Sequence, residues 1–587
     1  MPLYKMSRWW WALLLALSFS AESRADRTVN VPLEHPSYAF VERFEARGVL
    51  GGMVGGIRPF SRSYMARLLT AVRAAVDGGF GISSVEWKRL ERYEGEFAAE
   101  LGNSTARALP KRLRQGTPLF RYTGDEGQVQ ADLLFRQRTD RFTGRDRRAP
   151  ESIYRHSMGG TVRGHIGERI GFRMSFAQTR EQGSRQYGWR EQVFERRLEI
   201  PQLKGNLTDY HEAMGYMTVS LPYVDVEFGK DEAAWGPGTN DNLGLSNNAP
   251  SYTMLRIKSS IGAMKLVSIT GALRPCPDRP DSPLCRGLAD SSTSYIVNRQ
   301  SRPLERQKYL AAHRLEVALA PWLDLGFHEI VVYGDRSIEP TYLNPLMFYW
   351  AAQSHLGDKD NVMMGVDLDI HPGHNQRYYV SYVIDDLKKL AIFSDDFANK
   401  FSLQAGAFWV DPPGFPDVDL RLEYVRIEPW IYTHKFPINT FRHFDSPLGH
   451  ELEPNSDRVA LEIAKRFAFG VELKGLLQRS RHGANELLAD GSIRNVGGDI
   501  HYGWRPGDER NSKHFLDGVL ERRTVLAGSV EWRILPQLVV DIGYGQEWGD
   551  NVPMPPNWGQ AIPLTRRSGY GDGVQRHMSF DLRYHYF

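Results

Sequence analysis

Cysteine is nearly absent: the 587 residues hold two. That is too few for a zinc module, which needs more ligands at tighter spacing. The pair, Cys276 and Cys285, brackets a Pro-rich run between strand-like segments. In an exported chain this spacing reads as one local disulfide closing an exposed loop; free thiols or a metal site are the alternatives. Long apolar runs are also missing, and beyond the first residues no stretch of about 18 could form a transmembrane helix. A surplus of one charge is missing too. Lys and Arg number 73 against 70 Asp and Glu, a formal net charge of +3, so the basic excess that nucleic acid binding relies on is not there. Finally, the chain contains no His-Glu-x-x-His, Gly-x-Ser-x-Gly, Gly-x-x-x-x-Gly-Lys or Cys-x-x-Cys motif. The expectation is a protein that is not an enzyme, with no catalytic residues, no metal and no cofactor.

What is present begins with a secretory signal over residues 1–25. Lys5 and Arg8 form its charged start, Trp9 to Leu17 its apolar core, and Ser23-Arg24-Ala25 a small-x-small cleavage site. Residues 26–117 read as an N-terminal helical bundle. Pro36 opens a first helix with Phe40, Val41 and Phe44, and Gly48 ends it. Tyr64, Met65, Leu68, Leu69 and Val72 recur at helical spacing, and Ser83 with Glu86 makes a capping-box pattern before Trp87, Leu90, Phe97 and Leu101.

From residue 118 to residue 587 the period is two. Val129, Ala131, Leu133 and Phe135 alternate with polar residues. So do Ile170, Phe172, Met174 and Phe176; Phe467, Phe469, Val471 and Leu473; and Leu538, Val540, Ile542 and Tyr544. The runs are close to the ~9–11 residues that a tilted strand needs to cross a bilayer. Trp532 and Ile534 turn through Leu535-Pro536-Gln537 into Leu538, a tight hairpin, whereas other connections are long and polar. In the final residues Phe580, Leu582, Tyr584 and Tyr586 share one face and Phe587 follows, as the barrel-closing strand requires. The fold class expected is an all-β membrane protein: a large antiparallel transmembrane β-barrel with the helical bundle as a periplasmic plug. A lumen of that width is not filled by its own wall side chains.

Charged groups inside the strands read as lumen lining. Asp367 and Asp369 share a face, and Glu316 with Arg314 and His313 belongs to the polar lumen network, while Asp385 and Asp386 point to opposite faces and cannot share a site. His371-Pro372-Gly373-His374 is a turn with two imidazoles and, read alone, too few ligands for a metal.

With these residues in place the chain resembles the capsule assembly Wzi family of outer-membrane proteins. The resemblance is carried by Trp235-Gly236-Pro237-Gly238 with Leu245-Ser246-Asn247-Asn248-Ala249-Pro250, by Ala311-Ala312-His313-Arg314-Leu315-Glu316, by Tyr342-Leu343-Asn344-Pro345-Leu346, and by Asp360-Asn361 and Asp385-Asp386. Val31-Pro32-Leu33, Phe44-Glu45-Ala46-Arg47-Gly48 and Arg58-Pro59-Phe60-Ser61-Arg62 belong to the same pattern. Ser251-Tyr252-Thr253-Met254 departs from it, where a more proline- and aromatic-rich run is expected. The resemblance implies about 18 strands in a Gram-negative outer membrane. It also implies a lectin-like role in capsule or exopolysaccharide assembly and surface attachment. The partners are then capsular or extracellular polysaccharide, outer-membrane lipid and lipopolysaccharide, and the barrel-assembly machinery during biogenesis. Trp235, Asn247 and Asn248 have two readings: an inward loop that packs the lumen, or a sugar site with indole stacking and amide hydrogen bonds. The rival functions are a porin or sugar channel, for which Tyr38 to Val72 looks like a single surface-layer-homology repeat, and an outer-membrane hydrolase assembled across strands.

Overall fold

A computed structural model describes residues 29–585, apart from 53–54, 102–117, 145–149, 184–201, 205–206, 240, 276–293, 298–299, 304–305, 387–393, 445 and 554–569. The expected signal over 1–25, Cys276, Cys285, Tyr586 and Phe587 lie outside the described residues.

Among the described residues, 18 antiparallel strands close into one barrel. In chain order they are β1 Gly127–Gly144, β2 Glu151–Ile166, β3 Ile170–Gly183, β4 Leu207–Ser220, β5 Asp225–Asp231, β6 Tyr252–Ile261, β7 Met264–Leu273, β8 Lys308–Ala320 and β9 Leu323–Gly334. They continue as β10 Asn361–Gly373, β11 Gln376–Asp386, β12 Lys400–Val410, β13 Val418–Ile427, β14 Ser456–Arg466, β15 Val471–Ala484, β16 Val519–Arg533, β17 Leu538–Pro553 and β18 Tyr570–Tyr584. Closure is made by β18 on β1, from Gln575 opposite Gly144 to Tyr584 opposite Phe135.

The period of two sorts the side chains as a membrane requires. On β10 the carboxylates of Asp367 and Asp369 are buried toward the lumen while Val366 and Leu368 face out. On β17 and β18, Ile542, Tyr544, Met578, Phe580 and Tyr584 form part of the apolar outer belt. Ile542, 55% exposed, sits opposite Phe580 in the ladder. Ile542→Arg is therefore expected to cost about 2–4 kcal/mol if that belt is midplane lipid. Urea unfolding in lipid vesicles checks this; an unchanged midpoint would mean that the face is not in the bilayer.

The connections after β2, β4, β6, β8, β10, β12, β14 and β16 are short and lie at one end, the periplasmic one in such barrels. One strand expected from sequence is partly a turn: 467–470 lies outside the ladder, with Phe467 N donating to Val471 O and Gly470 at φ +86°. Phe467 and Phe469 stack with centroids 5.4 Å apart, in a turn at the end of the barrel, the level at which aromatics of such barrels gather.

Three helices, α1 Ser37–Ala46, α2 Arg62–Asp77 and α3 Ser84–Glu96, form the bundle at this short-turn end. Ser83 and Glu86 make the full capping box on α3. Phe40, Val41, Phe44, Met65, Leu69, Val72, Leu90 and Phe97 share the bundle core. Docking to the barrel joins an apolar cluster of Ala46 with Phe408 and Val410 to polar contacts: Arg43 reaches Asp411 and Asp419, Ser83 Oγ donates to Asp417, and Lys88 Nζ to Ala468 O.

Candidate functional site

At the opposite end the connections are long, and two of them turn into the lumen. The ladder between β4 and β5 runs only from Ser220 opposite Asp225 to Gly215 opposite Lys230. Segment 232–251 leaves the wall there and enters the interior. Its Trp235-Gly236-Pro237-Gly238 turn is tight: Gly236 has φ +138°, and an added Cβ would stand 2.4 Å from Asn242 Oδ1; at Gly238 it would stand 2.1 Å from Asp241 O. This loop meets the N-terminal segment backbone to backbone. Ile57 pairs with Trp235 and Arg58 with Ala234, and Gly236 N donates to Gly56 O at 2.9 Å.

The expected site residues separate. Trp235 is 1% exposed and belongs to the core formed with Leu243, Leu245, Ile269, Met363, Tyr432 and Leu448, so its indole offers no open face for stacking. Asn248 knits the loop to the second inward segment, 428–455, donating to Gly449 O at 2.7 Å and to Asp241 Oδ1 at 2.9 Å. Asn247 points away from both, donating to Glu34 Oε1 of the N-terminal segment at 3.0 Å.

Asp241 is the node that sequence reasoning missed. It accepts from Ser246 Oγ, Asn248, the backbone N–H of Asn242 and, at 2.7 Å, that of Glu451. Burial and the nearby Glu451 carboxylate nevertheless push it up to about 6. An acid in a loop of small polar residues was the available signal.

The wall holds the loop through lumen-facing cations whose period-two placement was also readable. Arg377 grips Asp369 through two bonds, 2.8 and 2.6 Å, and donates to Pro237 O. Arg421 donates to Thr239 Oγ1 and to Glu42 on α1. Burial works to raise Glu42, but Arg421, Arg58 and Arg377 overcome it and hold the carboxyl down to about 2. Arg314 is fully buried between Glu316 and Asp367, directly under Gly56, where a Cβ would stand 2.1 Å from Glu316 Oε1. Asp385 and Asp386 part as expected. Asp385 accepts from Tyr432 N, and Asp386 lies 3.7 Å from Lys400 Nζ.

On the β14–β18 side the lumen keeps a chamber of about 750 Å³. It is bounded by Leu33 to Pro36, by Asn242, Ser246 and Asn247 of the loop, and by wall groups such as Lys474, Glu531 and Arg583. Of the three residues chosen from sequence, Asn247 lines it. The chamber mixes donors and acceptors of both signs, which suits a hydroxyl-rich ligand better than an apolar one.

The family model for capsule assembly protein Wzi matches residues 155–555. Among solved structures, Wzi of Escherichia coli, described as an outer-membrane protein involved in group 1 capsule assembly and a carbohydrate-binding β-barrel, aligns with a TM-score of 0.52 at 11% identity. That alignment covers 94% of this chain and 98% of that one. OccAB1 of Acinetobacter baumannii aligns with a TM-score of 0.41 at 10% identity, covering 78% and 96%. OprD of Pseudomonas aeruginosa gives 0.37 at 12% identity, covering 77% and 94%. No curated protein matches significantly. With the family model spanning well over half of its length and the 18-strand fold shared over nearly all of it, the chain belongs to the capsule assembly protein Wzi family.

Proposed function

We propose that this protein is an outer-membrane lectin that holds capsular or extracellular polysaccharide during capsule assembly and surface attachment. Family membership supports the polymer. The observation that carries the reading is the meeting of the inward loop with the N-terminal segment at Trp235 and Ile57, which sets two plugs in a lumen that a conduit would keep clear. The reading is of a binding protein without catalysis, since the buried lumen acids Asp367, Asp369 and Asp419 are held by arginines. Residues 1–25 direct export and are removed; the barrel-assembly machinery then inserts the chain among lipid and lipopolysaccharide.

Asn247, on the chamber, is assigned the ligand contact, and Trp235 and Asn248 the ordering of the loop that presents it. Folded, detergent-solubilised protein is expected to bind polysaccharide from its own host in a glycan-binding assay. Asn247→Ala should weaken that binding about tenfold, the worth of one hydrogen bond to a polar ligand. Its unfolding midpoint should barely move. Unaltered affinity would remove Asn247 from the site, and a deletion strain that keeps its polymer fully attached would remove the function.

A further inference from the structure

The last turn of α1 presses Glu45 against the barrel wall, where Asp324 opens β9 and His371 ends β10; all three are buried. One ligand atom from each lies within 4.8 Å of the other two. His371 Nε2 is 3.7 Å from Asp324 Oδ2, and His371 Nδ1 is 3.8 Å from Asp369 Oδ1. Both separations exceed a hydrogen bond. Neither ring nitrogen, nor Glu45 Oε1, finds a hydrogen-bond partner among the described residues.

The neighbouring cation is engaged elsewhere. Arg377 is the adjacent guanidinium, and it is committed to Asp369 and to Pro237 O, leaving Glu45 at 3.8 Å. Glu42, nearby, is matched by Arg58 and Arg421. Glu45 Oε1 and both ring nitrogens of His371 are therefore left without a hydrogen bond in a buried place. Buried polar groups left so are costly and call for a cation or a proton.

We propose that Glu45, Asp324 and His371 bind a divalent transition-metal cation of the zinc or manganese class, which clamps the helical bundle to the barrel wall. Two carboxylate oxygens and an imidazole nitrogen are a donor set for such ions, whereas magnesium and calcium prefer oxygen alone. Ligands of a tetrahedral zinc stand roughly 3.4 Å apart, close to the observed Nε2 to Oδ2 separation. Asp369 lies beside the far nitrogen, as the carboxylate that orients a metal-bound histidine does. The helix end is already seated there: a Cβ on Gly48 would stand 3.4 Å from Gly373 Cα in the β10–β11 turn.

The test uses the full chain folded in detergent, stripped with a chelator and titrated with Zn²⁺ or Mn²⁺ against a chromophoric competitor. One equivalent is expected to bind, at least tenfold more weakly in Glu45→Gln and His371→Ala, and to raise the unfolding midpoint of the unsubstituted protein alone. Glu45→Gln removes a buried carboxylate whose Oε1 has no hydrogen-bond partner among the described residues, so its metal-free midpoint should equal or exceed that of the parent and the variant should fold. Binding that survives both substitutions, or a midpoint indifferent to metal, overturns the proposal. So does neutralisation by a proton alone. Burial pushes Glu45 up to about 8 from 4.5, so the folded state holds the extra proton between those values. Stability would then fall as pH rises from about 4.5 to about 8, whether or not metal is added.

Discussion

Arg314→Ala is expected to lower stability by about 3–5 kcal/mol, because it strands two buried carboxylates rather than deleting a balanced pair. The guanidinium is fully buried and bonds Glu316 at 2.9 and 2.5 Å and Asp367 at 2.7 and 2.8 Å. Above it sits Gly56, whose carbonyl accepts from Gly236 of the inward loop. Loss of the arginine therefore loosens the place where wall, loop and N-terminal segment meet. The drop should appear in guanidinium unfolding followed by tryptophan fluorescence. In planar bilayers the variant should conduct more than the parent. Replacing the set together, Arg314→Met with Glu316→Gln and Asp367→Asn, should restore most of the stability, since no unpaired charge is left behind. If the single variant is as stable as the parent, this network does not hold the plug.

Trp235→Ala should cost a similar ~3–5 kcal/mol through the cavity left by a large buried ring. Segment 232–251 would become the first site of proteolytic nicking. The conservative Trp235→Phe separates the two readings of this residue. A packing role predicts that Phe keeps most of both stability and glycan affinity. A stacking role predicts a fall in affinity at an unchanged unfolding midpoint. With the indole 1% exposed, the first outcome is expected.

How much was legible follows from the range over which each signal acts. Strand alternation is local, so the faces of β10, β17 and β18 could be assigned from the letters alone, and so could the Ser83 and Glu86 cap. Phe467 and Phe469 misled because turn aromatics at a bilayer interface imitate a strand face, while Gly470 ends the pattern. Asn247 and Asn248 are adjacent in sequence, yet one reaches Glu34 and the other Gly449. Nothing local distinguishes them. The contacts that assemble the lumen, Ile57 with Trp235 or Arg43 with Asp419, join segments that only ring closure brings together. His371 stood out as a turn imidazole with too few ligands, but Glu45 and Asp324 were invisible for the same reason: each is ordinary where it stands in the chain, and only the docking of α1 makes the three neighbours.

The pairing of β18 with β1 also bears on how the N-terminal segment docks. The N-terminal residues precede the barrel strands in the chain, yet their anchors are spread around the ring on β5, β10, β11 and β13. Asn30, for example, bonds Glu227 and Asp231 on β5, while Arg43 bonds Asp419 on β13. Docking of this segment therefore needs strands that lie far apart in the chain to be in place together.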